Sequence, residues 1–213
     1  MNTDELINAL GADAGANPPR SLARDWCLSL VAGTLVAAAM MAAMLRVRAD
    51  IWIAVGDPRF LFKFVATLAL AIPAGRLAMD LARPGARPGR RLAALLVAPA
   101  LVLVVAIIDL ALSPASTWLP QAEGQNAIYC TLCVPLLSLA PLAGFLYALS
   151  RAAPTDPRLA GLIAGLASAG VGATIYALHC TDDSPLFVML WYTLGVAITG
   201  AIGAWLGPRV LRW

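Results

Sequence analysis

Charge is what this sequence has least of. Of 213 residues only 13% are Asp, Glu, Lys or Arg, and one is histidine, about half the charged share of a soluble domain. A water-facing surface for a compact soluble fold cannot be assembled from that inventory, which excludes a soluble enzyme. Cysteine is sparse as well: four in 213 residues rule out a disulfide-stapled secreted scaffold. The low apolar content that marks disorder is missing too. Hydrophobic residues make up 61% of the chain before its 17 glycines are counted, against roughly 45 to 50% with glycine included in soluble domains.

What is there is a set of six apolar runs, each near the length of about 20 residues that a hydrocarbon core of roughly 30 Å requires of a helix. They are Trp26 to Leu45, Phe60 to Met79, Leu92 to Leu112, Ile128 to Leu149, Leu159 to Leu178 and Leu186 to Leu206. The runs are continuous rather than alternating, so a barrel does not fit. The expected fold class is all-α: a polytopic integral membrane protein built as a six-transmembrane-helix bundle. Residues 1–25 form a short cytoplasmic N-terminal arm, 26–206 the transmembrane domain and 207–213 a C-terminal tail. No connection between runs exceeds 15 residues, too little for a soluble catalytic domain. Asp4, Glu5, Asp13 and Asp25 precede the first run, which reads as a retained helix rather than a cleaved signal.

Arginine and lysine set the orientation, since the cytoplasmic side carries the excess. With the N-terminus inside, that side holds Arg20, Arg24, Arg76, Arg83, Arg87, Arg90, Arg91, Arg151, Arg158, Arg209 and Arg212, whereas the other holds Arg46, Arg48, Arg59 and Lys63. Both termini are therefore expected in the cytoplasm, with Trp26 and Trp205 at the inner interface and Trp191 toward the outer one. Gly161, Gly165, Ala169 and Gly172 on the fifth run, and Gly195, Thr199, Gly203 and Gly207 on the sixth, are ladders that let backbones approach. They serve either packing within one chain or a homodimer seam. Pro73, Pro135 and Pro141 fall inside spans, where they bend or open a helix.

Charges at membrane depth need partners. Arg76 and Asp80, four apart, can pair or reach the cytoplasmic interface. Lys63 and Asp109 fall at similar depth on the outer side and are expected to face each other, as a neutralising pair rather than an ion pathway.

The cysteines carry the most chemistry. Cys27 lies at the cytoplasmic end, while Cys130, Cys133 and Cys180 lie on the opposite side, where a bacterial periplasm preserves disulfides. A bridge from Cys130 or Cys133 to Cys180 is topologically allowed and needs alpha carbons within about 7 Å. His179, Cys180, Asp182 and Asp183 also offer donors for a transiently held soft or borderline metal. Three readings stay open: a disulfide or thiol sensor, metal sensing, and inert packing. No permanent cofactor is expected.

The arm is the other informative segment. Asn2 with Glu5 resembles a capping box, and Leu6, Ile7 and Leu10 share a face before Gly11, so residues 3 to 10 are expected to form a short amphipathic helix. With Thr3, Asp4 and Glu5 it makes a partner-binding surface of the helix-in-groove kind. Its acidic residues argue against a membrane-surface role.

Several of these segments together resemble the NrsF family, negative regulators of sigma F. They are Met1-Asn2-Thr3-Asp4-Glu5-Leu6-Ile7, Tyr129-Cys130 with Pro135 to Leu142, His179 to Phe187 with Trp191-Tyr192, and the closing Leu211-Arg212-Trp213. The resemblance spans the chain, and the segment from His179 to Phe187 is its most specific part. It implies an anti-sigma factor of the bacterial inner membrane and not an enzyme, with no direct contact to nucleic acid. Such a protein holds an extracytoplasmic-function sigma factor of the sigma F type through the cytoplasmic arm and releases it under oxidative or metal stress. Cys130 and Cys180 match the family's two signature cysteines, and Cys133 and Cys27 are additional. The competing expectation is a membrane thiol oxidoreductase using Cys130, Cys133 and Cys180. It lacks the second exposed pair such chemistry uses, because the loops 46–59 and 113–127 contain no cysteine. A small transporter is disfavoured by the absence of matched broken helices.

Overall fold

A computed structural model of the chain describes residues 2–16, 21–86 and 88–211. Helix α1 covers Thr3–Ala16. Six helices long and apolar enough to cross a membrane follow: α2 Leu22–Met44, α3 Pro58–Leu81, α4 Gly89–Leu112, α5 Ala127–Ser150, α6 Pro157–Ala177 and α7 Pro185–Val210. No strand occurs among the described residues. Short helical turns at Ile51–Ala54 and Trp118–Glu123 lie in the connections.

Three spans begin slightly before their apolar runs, for one local reason. Asp57-Pro58, Asp156-Pro157 and Ser184-Pro185 each place a capping side chain before a proline in the first turn. Proline is tolerated there because its missing N–H would be unpaired anyway. Asp57 accepts from the Arg59 amide at 2.8 Å, Asp156 from the Arg158 and Leu159 amides at 3.0 Å, and Ser184 from the Leu186 amide at 3.2 Å. Span α4 departs from the plain α-helix: Gly89–Leu96 forms 3-10 turns before Val97–Leu112 continues as α-helix. Span α7 opens with a π-helical segment, Val188–Tyr192. It also continues into the first residues of the expected tail, ending at Val210 with Leu211 buried.

Helix α6 is the axis of the bundle, packed against α3, α5 and α7, while α2 packs on α5 and α4 on α3. Its small residues face different neighbours. A Cβ on Gly161 would strike the Gly203 carbonyl of α7, one on Gly165 would lie 2.7 Å from the Thr199 carbonyl, one on Gly170 2.8 Å from the Ala71 backbone of α3, and one on Gly172 would strike Ser138 of α5. Lipid tails are as apolar as the side chains, so helix association depends on this close packing. These close approaches join α6 to α7, α3 and α5 within one chain. Two residues depart from the expected pattern: Gly172 faces α5 rather than α7, and Gly195 meets Val134 of α5.

The end bearing the connections 45–57, 113–126 and 178–184 is the thiol end, named for Cys130, Cys133 and Cys180. The opposite, arm end carries α1, Cys27 and the connections 82–88 and 151–156. Trp26 faces into the bundle rather than outward. It is 4% exposed and stacked on Phe145, with ring centroids 4.5 Å apart. Trp205 is exposed, with the Arg209 guanidinium 4.0 Å from its ring centroid.

The packing leads to a test in which each variant is melted in detergent. Gly165→Ala meets backbone and is expected to destabilise by about 1–3 kcal/mol, the usual effect of overpacking. Gly75→Ala has open space and is expected to stabilise by up to about 1 kcal/mol through helix propensity.

Candidate functional site

At the thiol end, Cys130 in the first turn of α5 and Cys180 in the α6–α7 connection are both 0% exposed. They belong to one apolar cluster with Met41, Val134, Tyr176, Phe187 and Tyr192. Cys133 is half-buried at its edge, Cys27 is exposed at the arm end, and all four thiols are free. Burial pushes the Cys180 thiol above its ordinary value, and the Lys63 ammonium and Tyr192 hydroxyl pull the other way.

The connection bearing Cys180 is held from two sides. Lys63 of α3 is 0% exposed; its Nζ donates to the Cys180 carbonyl at 2.8 Å and pairs with Asp183 at 2.5 Å. Arg48 donates through Nη1 to Asp183 at 2.8 Å and to the Cys180 carbonyl at 3.3 Å, and it pairs with Asp50 at 2.7 Å. That hydrogen bond from Arg48 holds the Asp50 carboxyl down to about 2. Both cations also face the Phe60 ring, 5.4 and 5.2 Å from its centroid. On the other side, Asp182 accepts from the Gln125 amide at 3.1 Å and from the Asn126 amide and side-chain nitrogen at 2.8 Å each. Asn126 is the cap residue of α5, four positions before Cys130. Gly124, just before this contact, has φ +56°, and a Cβ there would meet Phe187 and Asp182. Glycine is therefore required.

Two expectations are corrected. Lys63 does not face Asp109. Arg59, one turn earlier on α3, reaches Asp109 at 2.6 Å, while Lys63 points to the Cys180 connection. Equal depth on neighbouring helices did not place the two side chains on facing sides. Nor do His179, Cys180, Asp182 and Asp183 converge on a metal. His179 Nδ1 lies 2.9 Å from the Arg46 carbonyl, and the two aspartates are engaged in opposite directions. Among the described residues no group of three or more His, Cys, Asp or Glu is arranged to hold a metal ion.

Arg48, Tyr176, Tyr192 and the π turn escaped the sequence reading. The spacing Arg48-x-Asp50 beside a span was the available signal for the first. Tyr192 stood inside a resembling segment but carried no assigned role, and a π turn has no pattern in a hydropathy run. At the arm end, Asp80 pairs with Arg91, while Arg76 lines a cavity of about 690 Å³ with Leu22, Ile72 and Leu77.

Helix α1 is longer than expected, running past Gly11 to Ala16. The Asn2 amide donates to Glu5 Oε2 at 3.1 Å, one half of the capping box. Thr3, Asp4 and Glu5 are exposed, and Leu6, Ile7 and Leu10 are 41%, 59% and 60% exposed. An apolar helix face thus stands uncovered at the end opposite the buried thiols.

Residues 10–213 match a family model described as NrsF, negative regulator of sigma F. The anti-sigma-F factor NrsF of Caulobacter vibrioides is 40% identical over 221 residues, covering 100% of both chains. The probable anti-sigma-F factor NrsF of Azospira oryzae is 34% identical over 213 residues, again covering 100% of both. No solved structure matches the chain. With its whole length aligned to these relatives, six spans and an uncovered N-terminal helix, the chain belongs to the NrsF family of negative regulators of sigma F.

Proposed function

We propose that the chain is a membrane-embedded anti-sigma factor. It sequesters an extracytoplasmic-function sigma factor of the sigma F type on the apolar face of α1, in the cytoplasm. It releases that partner when Cys130 and Cys180, on the periplasmic side of the bacterial inner membrane, react under oxidative or metal stress. One observation carries the reading: two thiols from different elements are buried in one cluster at one end, while the uncovered helix face stands at the other. Leu6, Ile7 and Leu10 provide the apolar anchors of a helix-in-groove contact, with Thr3, Asp4 and Glu5 on the polar side. Membrane sidedness follows from the arginine distribution.

Signalling in this scheme is a coupling between two sites through two bundle states. Modification at the thiols repacks the start of α5 against the α6–α7 connection, and the arm loses affinity; a tenfold loss requires only about 1.4 kcal/mol.

Cys130→Ser and Cys180→Ser are each expected to preserve membrane insertion and sigma binding but to abolish stress-induced release, read with a sigma-dependent reporter; Cys133→Ser is expected to respond normally. A normal response in both of the first two variants refutes the sensor assignment. Replacing Leu6 and Leu10 with Asp removes two anchors worth about 1.5–3 kcal/mol each when buried, and co-purification of the sigma factor is expected to be lost. Asp183→Asn leaves a buried ammonium short of its counter-charge and is expected to cost about 3 kcal/mol and to raise basal release. Lys63→Met leaves Asp183 with Arg48 and is expected to be milder in thermal melts.

A further inference from the structure

At the arm end, α2, α3 and the 3-10 opening of α4 surround a cavity of about 690 Å³, within the range of about 300–1,000 Å³ that holds small ligands. Its two halves differ in chemistry. Leu22 of α2 and Ile72 and Leu77 of α3 form an apolar wall, whereas Arg76, Arg83 and Arg91 line it as cations and Asp80 as a carboxylate. Three guanidinium groups against that carboxylate leave a surplus of two positive charges. Ile72 is 52% exposed, and Arg76 and Arg83 are exposed, so the cavity opens outward from the bundle.

The surplus is not matched by the chain itself. Asp80 pairs with Arg91. Arg76, one turn before Asp80 on α3, and Arg83, two residues beyond the helix end, have no carboxylate partner among the described residues. Depth sharpens the problem. Arg76 lies five residues inside the end of α3 at Leu81, about 7.5 Å along the axis, and Ile72 lies one turn deeper. A guanidinium at that depth in a spanning helix is costly unless an anion joins it or its stem carries it to the interface. Reaching the interface accounts for an isolated arginine. It does not account for two unpaired guanidinium groups on one cavity whose other wall is apolar.

The occupant that fits is an anion at the interface with an apolar chain running deeper. Guanidinium groups take phosphate oxygens in a planar, bidentate fashion, and basic pockets between helix ends hold anionic headgroups. A soluble anion would satisfy the cations but leave the wall of Ile72 and Leu77 uncovered. A zwitterionic lipid brings its own cation and leaves the surplus uncompensated.

We propose that this cavity is a binding site for an anionic phospholipid, its phosphate held between Arg76 and Arg83 and one acyl chain lying along Leu22, Ile72 and Leu77. Arg91 stays with Asp80 at the rim. Leu22 and Ala23 form the first turn of α2, so the lipid ties the opening of that span to α3 and α4, where α2 otherwise packs on α5 and α4 on α3. The site depends neither on the thiols nor on sigma binding.

The experiment uses the full chain purified in a nonionic detergent, with phosphatidylglycerol, phosphatidylcholine or inorganic phosphate added, read by native mass spectrometry and thermal melting. Phosphatidylglycerol is expected to stay bound as a single molecule and to raise the melting temperature, as a ligand of the native state does. Phosphatidylcholine and inorganic phosphate are expected to do neither. Arg76→Gln and Arg83→Gln are each expected to weaken phosphatidylglycerol binding about tenfold, the effect of losing one charge-assisted hydrogen bond, with the melting temperature in phosphatidylcholine unchanged. Ala94→Trp, which narrows the cavity and leaves every charge in place, is expected to abolish binding. Arg209→Gln, away from the cavity on the Trp205 ring, is expected to bind as the unaltered chain does. Equal retention of phosphatidylcholine, or an equal loss in Arg209→Gln, overturns the proposal, because attraction is then not a property of the cavity. A shift produced by inorganic phosphate alone assigns the cations to a soluble anion and overturns it as well. Arg83 is exposed and outside the helix, so its variant decides the matter even where Arg76→Gln folds poorly: full binding in Arg83→Gln and Ala94→Trp refutes the site.

Discussion

The clamp of Lys63 and Arg48 on the connection between α6 and α7 is the constraint on which the thiol end depends. An ammonium with no solvent exposure, on a helix long and apolar enough to span a bilayer, is stable only with close partners. Lys63 finds them in Asp183 and the Cys180 carbonyl. The connection therefore cannot shift without uncovering that charge. Arg48 extends the same arrangement into the 45–57 segment through Asp50, and Asp182 extends it to the start of α5. Three connections that the chain order keeps apart are thereby fixed around one cysteine.

Such rigidity is what the signalling proposed above would require. A loosely held loop absorbs a modified side chain, whereas a loop tied on both sides passes the strain to the helices it joins. Helix α5 is suited to transmit it. Cys130 lies in its first turn, and Phe145, fifteen residues on and about 22 Å along the axis, stacks on Trp26 in the opening turns of α2. On its other face α5 meets α6 at Gly172, where neighbouring backbone and Ser138 leave no space for adjustment. Packed interfaces of this kind change between discrete arrangements rather than deforming continuously.

Much of this was legible in the sequence because membrane crossing imposes a length and a composition on each helix. All six runs correspond to helices, and the early starts of three of them follow from capping pairs such as Asp57-Pro58 that a hydropathy run does not register. The exposed apolar face of α1 was also legible, since the period of Leu6, Ile7 and Leu10 is local; its extension past Gly11 was not, because one glycine lowers helix propensity without ending a helix. Side-chain pairing was hardest to read. Depth along a span follows from residue number, but the direction a side chain faces depends on how helices rotate against one another. Arg59 thus holds Asp109, and Lys63 turns to Asp183. The tyrosines escaped for a related reason: the π turn that aims Tyr192 inward leaves no mark on apolar periodicity.

The arrangement of sulfur also separates a latch from an electron relay. A relay built on Cys130 and Cys133 needs both sulfurs to face one partner. Three residues of α-helix rotate about 300°, leaving the two side chains about 60° apart around the axis. Here that offset buries Cys130 completely and leaves Cys133 half-buried at the rim of the cluster. The fully enclosed position in the cluster that holds Cys180 belongs to Cys130. Successive transfers also require a pair open to an outside donor, whereas Cys130 and Cys180 are both fully buried, Cys180 within the connection that two salt-bridged cations hold. Under the function proposed above, a closed pair of this kind would serve as a latch rather than as a relay.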